Sequence, residues 1–146
     1  MNDKKAKLQK RYPNATFPAP FAQMFNIDFL ALEEGFVKTK VVVSKKWTNP
    51  FGIAHGGFLF SILDETLGSA ACSVLEKDIY KDVTALSTTN HDIFFHAPAK
   101  PNDTLTITAE VISCRKNMVF VEGHIHKDET LIAESKGIWF IKRYFI

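Results

Sequence analysis

Residues 49–75 read NPFGIAHGGFLFSILDETLGSAACSVL, a short polar loop that runs into a long apolar segment. From Gly56 to Leu75 there is no proline, and a helix of this length spans about 30 Å at about 1.5 Å per residue. Phe58, Leu59, Phe60, Ile62, Leu63, Leu67, Ala70, Ala71, Cys72, Val74 and Leu75 leave little room for a solvated face. The segment therefore predicts one buried helix that other elements must wrap. The glycine pair at 56–57 suits a tight entry, and amides at a helix start lack intrahelical partners and sit at the positive end of the dipole. Such a position favours a developing negative charge.

Asp64 interrupts this apolar run. At about 100° per residue it shares a side with Gly57, Phe60, Gly68 and Ala71, where a carboxylate is costly unless paired or used. A hydrogen-bonded structural carboxylate and a working acid both explain it. Glu65 and Ser61 fall on a neighbouring stripe with Gly68, Ser69 and Cys72. Gly56 and Asp64 are eight residues apart, about 12 Å along one axis, whereas a base and an oxyanion donor must both reach one carbonyl at about 3 Å. If the two act together, Gly56 of one subunit must meet Asp64 of another across a two-fold axis.

Outward from the helix, the chain reads as strands. Residues 26–32 and 36–44 predict a hairpin turning at Glu33-Glu34-Gly35, and Asn49-Pro50 marks the turn into the motif loop. After a polar connector at 76–82 come four runs rich in Val, Ile, Thr and Phe, at 83–95, 104–113, 118–127 and 131–145, separated by turn-type breaks. The order predicts an α+β domain in which a curved antiparallel β-sheet wraps one long central helix. Residues 1–24 read as an N-terminal arm ending in a short helical turn, and 25–146 as a single domain.

At 146 residues, 46% hydrophobic and 23% charged, the chain has the balance of an ordinary folded domain. A net charge of +2 with no basic stripe interleaved with aromatics argues against a nucleic-acid partner. No stretch reaches the ~18 apolar residues of a membrane span without a charge, and the basic start lacks an apolar signal core, so the expected location is cytoplasmic and unanchored. Cys72 and Cys114 stand in no short spacing and read as core thiols. His91, His96, His124 and His126 form no ligand set of metal-binding spacing, so neither a metal nor another cofactor is expected.

The pattern Asn49-x-x-Gly52-x-x-His55-Gly56-Gly57, six intervening residues, Asp64, then Thr88 and Pro98-Ala99, resembles the hotdog-fold acyl-CoA thioesterases of the phenylacetic-acid-degradation type. The resemblance runs from about residue 25 to residue 143. It implies hydrolysis of an acyl- or aryl-CoA thioester, with Asp64 activating water or attacking directly and the Gly56 N–H as oxyanion donor. Asn49 would hold the water or the thioester carbonyl. His55 would support the loop or polarise that carbonyl, and Thr88 would place a hydroxyl near the attacking water. Gly57, Phe58 and Thr89 would contact substrate, with Thr89 replacing Thr88 if the register slips by one, since alternation turns only one of them inward. The resemblance also implies a homodimer, with such dimers paired into a homotetramer in many relatives.

A thiolate is a good leaving group, so one carboxylate and an oxyanion site can suffice without a Ser-His-Asp set. Two other functions are open to the fold. A non-catalytic acyl-CoA-binding module has no need of the full Asn-His-Gly-Asp set, and the usual His-containing motifs of a hydratase or dehydratase are not found here. Lys45, Lys46, Lys100, Arg115 and Lys116 are the candidate partners of the CoA phosphates.

Overall fold

The computed structural model describes residues 16–75 and 83–143. Helix α1 (Pro20–Met24) precedes the hairpin β1 (Asp28–Glu33) and β2 (Phe36–Val42). A single 3-10 turn at Lys45–Trp47 leads through the motif loop into α2 (Gly56–Ser73). Strands β3 (Val83–Phe95), β4 (Thr104–Arg115), β5 (Met118–Lys127) and β6 (Thr130–Arg143) follow. All pairings are antiparallel, in one six-stranded sheet of order β1-β2-β4-β5-β6-β3. This is the α+β hotdog architecture, with the sheet curved around one long helix. Residues 1–15 of the expected arm and the connector at 76–82 lie outside the described residues, and the short helical turn is α1.

Alternation in the strands builds the concave face. Val37, Thr39 and Val41 of β2, Leu105, Ile107 and Ala109 of β4, and Val119, Val121 and Ile125 of β5 are buried, each two or four residues apart. Against them α2 sets Ile62, Leu63, Leu67, Ala70 and Ala71, all fully buried. The Thr39 and Thr66 hydroxyls, buried between sheet and helix, meet at 2.9 Å, and Thr66 also donates to the Ile62 carbonyl at 2.8 Å. The helix approaches β5 so closely that a Cβ at Gly123 would overlap Leu67 Cδ1. Glycine there sets the distance between the two layers. Helix α2 ends at Ser73, two residues short of the expected Leu75, with Val74 capping it and the Leu75 amide donating to the Cys72 carbonyl at 3.3 Å.

The sheet edge formed by β3 is long and open. Its 13 residues pair only with β6 among the described strands, and Phe94 and Phe95 at its end are more than half exposed. Beside the strand lies a cleft of about 350 Å³ between α2 and the chain around residues 16–19.

Candidate functional site

The motif loop is tied down by its own backbone. Asn49 Oδ1 accepts from the amides of Phe51 at 2.9 Å and Ile53 at 3.4 Å, an Asx-type turn, while Asn49 N–H donates to the Ile53 carbonyl at 2.8 Å. Ala54 N–H donates to the Ala99 carbonyl at 2.8 Å, which anchors the loop to the Pro98-Ala99 segment beyond β3. With Oδ1 turned inward, the Asn49 amide group retains Nδ2 as a donor.

His55 is the N-cap of α2, and its Nδ1 accepts from the Gly57 amide at 2.8 Å. The neutral ring then carries its proton on Nε2. The first amides of a helix need external acceptors, and here they are nearly all supplied. His55 N–H donates to Trp47, Gly57 N–H to the His55 ring, and Phe58 N–H to the His55 carbonyl. The Gly56 N–H alone has no acceptor among the described residues, and it sits at the positive end of an 18-residue helix. A Cβ at Gly56 would stand 3.3 Å from the Phe95 ring, so this amide lies against the exposed end of β3.

Two turns further along, Asp64 opens onto the cleft with its side chain 39% exposed. Its Oδ1 accepts from the Thr88 hydroxyl at 3.0 Å and stands 3.3 Å from Nδ1 of His91. Glu65 lines the same cleft, so the separate stripe expected for it faces the same space as Asp64. Burial pushes the Glu65 carboxyl above the usual carboxylate range, and the adjacent charge of Asp64 adds to the shift. Phe17, Leu32, Leu86 and Trp139 supply the apolar walls.

The structure distinguishes Thr88 from Thr89 by a bulge. The β3–β6 register slips between Thr88, opposite Trp139, and Asn90, opposite Ile138. Thr89 is the extra residue, and although both threonines are exposed it is the Thr88 hydroxyl that donates to Asp64. Phe58 is buried in an aromatic cluster with Phe25 and Trp47, at ring distances of 5.4 and 6.2 Å, and does not line the cleft. Gly57 is exposed at the helix start. Lys45, Lys46 and Lys100 are exposed and flank the motif loop, whereas Arg115 and Lys116 lie at the β4–β5 turn. That turn is at the far end of a 12-residue strand, roughly 40 Å long at about 3.3 Å per residue. Among the described residues no group of three or more His, Cys, Asp or Glu is arranged to hold a metal, and no helix is long and apolar enough to cross a membrane.

Sequence reading passed over His91 as anything but a weak metal candidate. From Thr88, strict alternation puts a residue three positions on upon the opposite face, and only the bulge reverses this.

Known proteins resemble this chain in sequence and in fold. A protein of Saccharolobus solfataricus described as a candidate esterase is 34% identical over 125 residues, covering 83% of this chain and 79% of its own. The PaaI protein of the phenylacetic acid degradation operon of E. coli superposes with a TM-score of 0.79 at 25% identity, over 96% of this chain and 94% of the other. A Streptococcus mutans protein bound to acetyl CoA has the same fold, with a TM-score of 0.73 at 20% identity over 92% of this chain and 98% of the other. Residues 51–134, from the motif loop into β6, match the Thioesterase superfamily, and with the hotdog sheet and helix in place the chain belongs to that superfamily.

Proposed function

We propose that the protein is an acyl-CoA thioesterase that hydrolyses acyl- or aryl-CoA to the free acid and CoA. The observation that carries this reading is the Asp64 carboxylate, held by Thr88 at the mouth of an apolar cleft in a superfamily of thioesterases. Asp64 takes a proton from water, or attacks the thioester carbon itself, and the unpartnered Gly56 N–H receives the negative charge that develops on the carbonyl oxygen. Asn49 Nδ2 and the His55 Nε2–H are further donors offered by the same loop, and Gly57 leaves the approach open. The cleft, at about 350 Å³ with Leu32, Leu86 and Trp139 in its walls, suits an acyl chain of medium length or an aryl group. Lys45, Lys46 and Lys100 flank the loop where the CoA phosphates would lie. The Streptococcus mutans relative bound to acetyl CoA and the PaaI relative support this choice of substrate class.

The site is completed by a second subunit. Gly56 and Asp64 are separated by about 12 Å along α2, so one chain offers each carbonyl only half of the machinery. The open β3 edge, with Phe95 against Gly56, is the surface through which two copies would join their sheets. On the convex face Ile112, Met118 and Phe140 are exposed and apolar, as a pairing of dimers into a tetramer requires. Cys72 and Cys114 are not joined in a disulfide, which accords with a reducing compartment such as the cytoplasm.

The test is free-thiol release from acetyl-, hexanoyl-, lauroyl-, benzoyl- and phenylacetyl-CoA. Turnover of at least one, abolished by Asp64→Asn, supports the reading. Binding of CoA thioesters without release would make the protein an acyl-CoA-binding module.

A further inference from the structure

His91 is the buried titratable group that the mechanism above does not use. Its side chain is 2% exposed, wedged between Phe60 at a ring distance of 4.3 Å and Trp139 at 5.8 Å. Neither ring nitrogen has a hydrogen bond of good geometry, and Nδ1 stands 3.3 Å from Asp64 Oδ1. A buried imidazole without full hydrogen bonding lowers stability relative to an apolar side chain of similar size, so packing gives no reason for its presence. The bulge at Thr89 supplies one. It turns His91 to the face that carries Thr88, and both side chains converge on the same carboxylate oxygen.

We propose that His91 is a positioning residue for Asp64, its Nδ1–H holding Oδ1 together with the Thr88 hydroxyl so that Oδ2 is the oxygen presented to water or thioester. Oδ2 has no hydrogen-bond partner among the described residues. Two donors on Oδ1 fix the carboxylate rotamer and direct reactivity to the other oxygen, and contacts of this kind commonly shorten when substrate binds. Among the described residues, Asp64 is the carboxylate within ion-pair distance of the ring. The inference rests on the reading of Asp64 as the working carboxylate.

The test compares His91→Leu, His91→Met and His91→Asn with the parent, using hexanoyl-CoA and phenylacetyl-CoA as substrates. Asparagine carries an N–H close to the position of imidazole Nδ1, whereas leucine and methionine carry none. The apolar variants should lose about 10- to 100-fold in kcat with KM within about threefold and no fall in Tm, and His91→Asn should restore kcat to within about threefold of the parent. An apolar variant with kcat within threefold of the parent overturns the proposal. So does equal impairment of His91→Asn, or loss of cooperative melting in both apolar variants, which would make the imidazole structural. Asp64→Asn is measured in parallel. If it is inactive while His91→Leu is fully active, the positioning role alone fails, and if it remains active, the reading of Asp64 as the working carboxylate fails with it.

Discussion

Thr88 and His91, three residues apart on one strand, both reach Asp64 Oδ1, at 3.0 and 3.3 Å. Regular alternation would place them on opposite faces, and the single bulged residue between them brings them together. The carboxylate environment is thus a property of strand register as much as of residue identity.

Asp64→Asn keeps size and hydrogen-bonding capacity but removes the negative charge. A fall in kcat of at least ~10²-fold is expected, since general-base catalysis is typically worth ~10²–10⁴ and a lost nucleophile more. Glu65→Gln serves as the control and should cost far less. Retention of more than about a tenth of the parent kcat, in a variant whose melt shows it folded, returns Asp64 to a structural role.

The bulge makes Thr88 and Thr89 unequal. Thr88→Val removes a donor to Asp64 and is expected to lower kcat by about tenfold, roughly the lost net value of one hydrogen bond to a charged group. Thr89→Val changes an exposed bulge position and should leave kcat within about twofold. Steady-state kinetics on the two valine variants decides the matter, and equal effects would count against the register described here.

Glu65 gives the stability a pH signature. Its carboxyl is pushed up by burial and by Asp64, so between its unfolded value near 4.5 and its higher folded value the native state binds more protons than the unfolded one. Stability attributable to Glu65 is therefore lost as pH rises through that window. Glu65→Gln should melt at a higher temperature than the parent at pH 7, with the gap closing below pH 4.5. Thermal melts at both pH values check this, and a gap independent of pH would contradict it.

A shared site can be rebuilt from two broken chains. Asp64→Ala and Asn49→Ala proteins should each be inactive. Heterodimers formed by refolding them together contain one site with both residues intact. Turnover above either parent variant is expected, and mixed dimers shown to form by native mass spectrometry yet devoid of activity would argue against a site at the subunit boundary.

The helix and the strands were legible in the sequence for a physical reason. A proline-free apolar run at 56–75 has to be buried, and runs rich in β-branched and aromatic residues between turn breaks have to cover it. The strand limits follow within a few residues, because the period-two burial of Val37, Thr39 and Val41 is written directly in the chain. Asp64 was visible by contrast with its neighbours, and the spacing of Gly56 from it was readable from helical rise alone. What tertiary structure decided was mostly convergence. A bulge costs one residue of register and leaves no mark in composition, so the inward turn of His91 and the exposure of Thr89 followed only from the β3–β6 pairing. The same holds for the capping of Gly57 by His55 Nδ1, which leaves Gly56 as the open amide, and for the cleft that Asp64 and Glu65 share. These depend on where segments distant in sequence come to rest against one another, which local periodicity does not encode.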